Sequence, residues 1–352
     1  LNSRFAINHS GFIANWKRGD KVKQNQLIKD VTIRHIWEAK KRISPIITKT
    51  PLIQSLVLSE QMGTEVYLKL ENYHDIGAFK VRGAANKILS LSQEERKRGV
   101  TTFSTGNHGM AVAYVAKKLG IKAVICISRR VPKVKVDNIK RLGAQVEIFG
   151  ESQDDASIRS YQLEEEEGLT VIKPFDDPHV IAGQGTIGLE LLEDLPDIEN
   201  VIVPLSGGGL LSGIGLALKS MDPATQVTGV SMETAAVMYE SLQAGKPVTL
   251  KEEHTLADSL LGGIGLDNQY TFQMVKQYMD SVVQVSEKAI AYGMGFMADK
   301  HRMIVEGAAA TGVAALLDHK LIPSSKNIVI IISGCNVDLS VIQKITQSYS
   351  EK

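Results

Sequence analysis

Four short segments carry side chains or turns that could do chemistry. Gly77-Ala78-Phe79-Lys80-Val81-Arg82-Gly83 sets a lysine among small and apolar residues directly after an apolar stretch. Desolvation disfavours an ammonium, so a lysine in such surroundings becomes a stronger nucleophile toward a carbonyl. Taken alone, the segment reads more simply as a helix start whose lysine head reaches water. Ser206-Gly207-Gly208-Gly209-Leu210 follows an apolar strand and opens a helix. Its glycines would let backbone N–H groups approach an anion, and the helix dipole favours negative charge there. Tight strand-to-helix packing needs small residues too. Ser104-Thr105-Gly106-Asn107-His108-Gly109 also leads into a helix, offering hydroxyls, an amide and free N–H groups to a carboxylate, or only a capping turn. Ile330-Ile331-Ile332-Ser333-Gly334-Cys335-Asn336 ends a strand with a hydroxyl.

Other chemistries find no support. The eight histidines show no HExxH or other metal spacing, and no Lys-Ser/Thr pair follows the glycines as a P-loop requires. A formal net charge of +1 gives no electrostatic case for nucleic acid or an anionic membrane. No apolar run approaches the roughly 18 residues of a membrane span. Two cysteines, Cys126 and Cys335, make no disulfide framework and suit a reducing cytoplasm. Cys126, inside Val124-Ile125-Cys126-Ile127, reads as a buried inert thiol.

The elements that must hold these segments alternate. Apolar strands are expected at Val66–Leu70, Ala123–Ile127, Gln145–Phe149, Thr170–Lys173, Val201–Leu205, Val227–Met232, Ser281–Val285 and Asn327–Ile332. Helices are expected at Lys80–Leu91, Ala111–Leu119, from Pro132 to Gly143, and at Asp154–Glu167, Leu210–Ser220, Thr234–Gln243, Glu287–Lys300 and Gly307–His319. Near-continuous apolar strands alternating with helices mean an α/β fold with parallel sheets covered on both faces. Ligands in such folds bind beyond the carboxyl ends of strands. The run Glu164–Glu167 reads as a solvated helix face. Residues 1–30 lack clear periodicity and a signal-peptide pattern, and their role is left open.

The combination of segments resembles the fold-type II, tryptophan synthase β-like family of pyridoxal 5′-phosphate (PLP) enzymes. Within it the chain is similar to threonine and serine dehydratases, including the hydroxyectoine-utilisation dehydratases, and to serine racemases. The likeness runs in order from about Val31 to Ile342. It takes in Glu71-Asn72, Gly77 to Gly83, Ser104 to His108, Ile181-Ala182-Gly183-Gln184-Gly185-Thr186, Ser206 to Leu210, Thr255-Leu256-Ala257-Asp258, Glu306-Gly307 and Ser333. Departures are Ser206, Ile76, Ser259 and Cys335, where the family commonly has glycine, threonine, glycine and glycine.

The resemblance implies two parallel-sheet, three-layer (αβα) domains. Residues 31–98 and 177–345 would form the large PLP-binding domain, and residues 99–176 a small domain carrying the carboxylate loop. It implies PLP as a Schiff base on Lys80, with Phe79, Asn107, Ser206, Gly207, Gly208, Gly209, Leu210, Glu306 and Ser333 around it. Ser104, Thr105, Gly106, Asn107 and His108 would take the substrate's carboxylate. It further implies loss of a β-hydroxyl from a small L-amino acid of the threonine or serine kind, giving a 2-oxo acid and ammonia. A neutral Ser333 at the pyridine nitrogen favours prompt elimination. The chain runs only a short way past Ser333, which suggests a catabolic or pathway-specific dehydratase without a C-terminal regulatory domain. Serine racemisation, a lyase acting on 3-hydroxyaspartate, and a silent small-molecule binder are the alternatives. Thr105 stands where serine racemases have their second acid/base; its β-branch makes correct aim harder. Ser231 and Val237 stand where magnesium-responsive racemases have carboxylates, so no metal is expected. A homodimer or higher homo-oligomer is the expected assembly.

Overall fold

The structure is a computed structural model that describes Ala14–Asn15 and residues 31–350 except 105, 130, 132 and 152. The expected helix start at Pro132 and most of the 1–30 segment therefore lie outside the described residues. In chain order the strands are β1 (Ala14–Asn15), β2 (Leu52–Gln54), β3 (Glu65–Leu70), β4 (Val100–Thr102), β5 (Ala123–Ile127), β6 (Gln145–Ile148), β7 (Thr170–Val171), β8 (Asn200–Pro204), β9 (Gln226–Met232), β10 (Ser281–Val285) and β11 (Asn327–Ile332).

They form a seven-stranded sheet, β1-β10-β9-β8-β11-β3-β2, and a four-stranded sheet, β6-β5-β4-β7. The smaller sheet is parallel throughout. The five inner strands of the larger sheet are parallel too, but both edges, β1 and β2, are antiparallel. The parallel sheets expected are present, with antiparallel strands added only at the two edges of the larger one. The two short edge strands have no repeating apolar pattern to announce them.

Burial explains the rest of the reading. All six residues of β11 are buried, as expected of a central strand with helices on both faces. The Gly307–Leu317 helix is apolar all round because its first ten residues are buried against the large sheet. The Pro178–Asp194 and Gly209–Met221 helices approach closely at Gly185 and Gly213, where a Cβ added at Gly213 would meet backbone at 2.5 Å. Asp177 accepts from His179 N and Val180 N and Pro178 takes the first turn, so this helix start is firmly punctuated. Glu164 to Glu167 lie on an exposed face, with Glu166 and Glu167 paired to Arg159 and Lys122. The Cys126 thiol is fully buried, and burial pushes its pKa up to about 11, as suits an inert residue.

Several expected elements shift, among them the helix expected from Ala111, which begins already at Asn107. The helix expected over Thr234–Gln243 begins only at Val237, because Ala235 adopts φ +54°, outside the right-handed region. The strand expected over Thr170–Lys173 stops at Val171. Beyond it, Lys173-Pro174-Phe175 leaves the small sheet and crosses to the large one.

Candidate active site

Three of the four chemical segments follow adjacent strands. In the large sheet β8, β11 and β3 lie side by side and parallel, so the turns carrying Ser206, Ser333 and Lys80 leave from the same end. The fourth segment, Ser104 to His108, follows β4 of the smaller sheet. Between them is a cavity of about 820 Å³. Every described residue singled out above as a site candidate lines it: Phe79, Lys80, Ser104, Gly106, Asn107, His108, Ser206 to Leu210, Glu306 and Ser333. Thr105 lies outside the described residues.

Lys80 is the first residue of the Lys80–Ser90 helix. Its Nζ donates to the Pro174 carbonyl at 2.8 Å and lies 5.3 Å from the Phe79 ring centre. Its enclosed position pushes its pKa down to about 8, with the Glu306 carboxylate opposing the shift. The loop before it is clamped by the turn after β11. Phe79 N donates to Ser333 O at 3.0 Å and Cys335 N to Gly77 O at 2.9 Å.

A buried ionic cluster fixes the same helix from behind. The Arg82 guanidinium pairs with Glu71 at 2.7 Å and with Glu190 at 2.6 Å, and Lys69 pairs with Glu190 at 2.6 Å. Thr50 Oγ1 donates to Glu71 at 2.6 Å, and Thr186 Oγ1 accepts from Arg82 at 3.1 Å. Burial alone would raise the Glu71 pKa, but Arg82 and His74 overcome it and hold the carboxylate well below its usual range. Glu71 belongs to a segment singled out above, whereas Glu190 lies far along the chain, and only the fold joins them.

The glycine turn leaves the start of a helix open, as the anion-binding reading of its sequence requires. Gly208 caps the Gly209–Met221 helix at φ +86°, and no side chain caps the first turn. Its first N–H groups have no carbonyl one turn back and are left for a ligand. A Cβ at Gly207 would lie 2.4 Å from the Phe175 ring, and one at Gly208 would lie 2.8 Å from Val275 Cγ2. At these two positions glycine admits neighbouring side chains that shape the turn from behind. Phe175, on the connection between the sheets, was not singled out from sequence.

At the start of the Asn107–Leu119 helix, Asn107 and His108 are both buried. His108 Nε2 lies 2.8 Å from the Ile172 carbonyl, so that nitrogen carries the proton. Burial, with Lys80 nearby, pushes the imidazole pKa down to about 3. His108 is therefore neutral and Nδ1 is a bare acceptor, which does not suit a carboxylate. The donors this turn offers a carboxylate are its free backbone N–H groups and the Ser104 hydroxyl. Across the cavity, Glu306 accepts from Asn107 Nδ2 at 2.9 and 3.0 Å and from Ser259 Oγ at 2.8 Å. Burial raises its pKa.

Two buried polar atoms at the cavity wall, Gln184 Oε1 and His108 Nδ1, have no hydrogen-bond partner. Leaving such groups unpaired costs about 1–3 kcal/mol each, so they mark a place where a polar ligand belongs. Among the described residues there is no group of three or more His, Cys, Asp and Glu side chains that could hold a metal ion. No helix among them is long and apolar enough to cross a membrane.

A nucleophilic amine facing an anion-binding helix start, with donors for a carboxylate opposite, defines an enzyme that handles an amine substrate through a phosphorylated carbonyl cofactor. The chain belongs to the pyridoxal-phosphate-dependent enzymes, whose family pattern matches residues 43–334. It is 44% identical over 315 residues to the L-threonine ammonia-lyase of Thermotoga maritima, covering 90% of this chain and 78% of that one. The processed form of threonine deaminase isoform 2 from Solanum lycopersicum superposes with a TM-score of 0.86 at 32% identity, over 98% of each chain. Maize serine racemase superposes with a TM-score of 0.84 at 37% identity, over 91% of this chain and 98% of that one. The site fits the family's cofactor: the free helix start suits its phosphate, and Lys80 its aldehyde.

Proposed function

We propose that the protein is a PLP-dependent ammonia-lyase that converts a small L-β-hydroxy amino acid, of the threonine or serine kind, to a 2-oxo acid and ammonia. The observation that carries this reading is Lys80. Its amine is half-buried at the cavity wall, its pKa lies near 8, and it stands between an anion cradle and a carboxylate-binding turn. The names of the similar proteins support the substrate class.

In this reading Ser206 to Leu210 hold the phosphate through backbone N–H groups and the Ser206 hydroxyl. Ser333 would serve the ring nitrogen and Asn107 the ring hydroxyl, with Phe79 and Glu306 lining the same cavity. When bound, the cofactor supplies an electron sink for charge at the substrate's α-carbon. Ser104 and the N–H groups of the following helix start orient the substrate's carboxylate. Lys80 Nζ takes the proton from the α-carbon, a task suited to an amine that titrates close to neutrality. The Pro174 carbonyl gives the resulting ammonium a hydrogen-bond partner. Because His108 is neutral, it adds no positive charge beside Lys80.

The likeness to maize serine racemase supports a second reading, racemisation, with Thr105 as the opposite acid/base. One assay separates the two. The PLP-loaded protein is given L-threonine, L-serine and 3-hydroxyaspartate, and 2-oxo acid and D-amino acid are measured with and without EDTA. Rapid, EDTA-insensitive 2-oxo acid from threonine or serine is expected. D-serine formed as fast as pyruvate, or no 2-oxo acid from any substrate, would reject the proposal. We also propose a role in hydroxyectoine utilisation, a cytoplasmic setting and a homodimer or higher homo-oligomer. The first rests on the resemblance, and the second is supported by two free thiols.

A further inference from the structure

The turn after β11 carries Asn336, a side chain without a role so far. Its Nδ2 donates to the Asn107 Oδ1 at 2.6 Å and to the Ile76 carbonyl at 2.8 Å, and its backbone N donates to Glu306 Oε2 at 3.2 Å. It thus ties together the loop before Lys80, the start of the Asn107–Leu119 helix and the buried carboxylate. An amide can face either way round, and its partners decide which. With Asn336 donating on one side and Glu306 accepting on the other, Asn107 must present Oδ1 to Asn336 and Nδ2 to Glu306 and the cavity.

We propose that Asn336 is a positioning residue that sets the orientation of the Asn107 amide, so that a donor and not an acceptor meets the cofactor. The proposal rests on the cofactor occupying this cavity, and it assigns no contact between Asn336 and the cofactor itself. Ser259 completes the arrangement from the far side by donating to Glu306 at 2.8 Å.

Asn336→Asp tests this with almost no change of shape. The new carboxylate faces Asn107 Oδ1 and the Ile76 carbonyl, so acceptor meets acceptor. If Asn107 turns over to satisfy that carboxylate, its Oδ1 then meets Glu306. Either way an extra proton is needed to restore the link to Asn107, and the Ile76 carbonyl then stays without this donor. The ionisable groups around it are Glu306 itself, Asp258 on the loop below, Lys80 and His108 across the cavity, and Cys335 next in the turn. None of these differs between parent and variant, so a pH dependence present only in the variant reports the new carboxylate.

The readouts are PLP affinity, followed by quenching of intrinsic fluorescence on titrating the cofactor-free protein, and the visible absorption band of the bound form between about pH 5.5 and 8.5, a range that brackets a raised carboxyl pKa. Asn336→Asp should bind PLP at least about tenfold more weakly than the parent at pH 8, with an altered band, and should recover toward the parent as the pH falls. Asn336→Ala should show the weakened binding without recovery at low pH, because it has no group to protonate. Thermal melting of each cofactor-free protein reports folding, and the Asp variant carries the test if the Ala variant does not fold. Parent-like affinity and band in a folded Asn336→Ala would overturn the proposal. So would an Asn336→Asp whose pH profile parallels the parent's. A parent that fails to bind PLP at all would instead refute the cofactor reading.

Discussion

The depressed pKa of Lys80 has a direct kinetic signature in the loading of cofactor. Only the neutral amine can attack an aldehyde. With a pKa of about 8, roughly one amine in ten is neutral at pH 7, against about one in three thousand for an ordinary lysine. Mixing cofactor-free protein with PLP in a stopped-flow instrument measures the rate at each pH. PLP itself ionises in this range, so the same aldehyde is run against a simple primary amine and the rates are divided. The ratio should rise as pH falls, by about 150-fold between pH 10.5 and pH 7, because the model amine loses its neutral form more steeply. In absolute terms the protein's rate should climb about tenfold per unit to pH 7 and bend near pH 8. A rate that keeps climbing about tenfold per unit to pH 10 would show that Lys80 is not desolvated. The reasoning from burial would then fail, whatever the enzyme's substrate.

Two substitutions test the scaffold around the site. Gly207→Ala places a Cβ 2.4 Å from the Phe175 ring; we expect a loss of about 1–3 kcal/mol from overpacking and weakened PLP binding, measured by urea unfolding and fluorescence titration. Unchanged affinity in a folded variant would show that the turn does not hold the phosphate. Arg82→Met leaves Glu71 and Glu190 without their shared guanidinium and should cost about 3–5 kcal/mol at pH 7. Glu71 has a lowered pKa in the folded protein, so its contribution is present above the usual carboxylate range and fades as the medium becomes acid. The gap between parent and variant should therefore narrow mainly below about pH 4, and a gap that stays constant through that acid range would remove Glu71 from the account.

Much of this site was legible because of how parallel sheets work. Lys80, Ser206 and Ser333 each follow an apolar strand that can be recognised on its own, and β3, β8 and β11 are neighbours. Strand-end residues of adjacent parallel strands meet without further help. The side chains that complete the site were harder to read, because their partners are distant in sequence. Phe175 and the Pro174 carbonyl come from a connection that looked like the end of a strand. Gln184 stood in a quoted segment, but nothing in its neighbours foretold a buried amide oxygen without a partner. Asn336 looked like an ordinary turn residue until Asn107, 229 positions earlier, was found beside it.

The connection Lys173-Pro174-Phe175 carries a consequence for protein engineering. In one short stretch its proline carbonyl holds the reactive lysine and its phenyl ring shapes the glycine turn, while the chain passes from one sheet to the other. A chimera of two related enzymes joined within this connection would disturb one of these contacts. Here a breakpoint just before Pro174 would pair one parent's lysine with the other's carbonyl, and one just after Phe175 would pair one parent's ring with the other's turn; chimeras joined at either place should fold yet load cofactor poorly. Breakpoints at the opposite end of the large sheet, such as residues 323–325 before β11, leave both contacts within one parent.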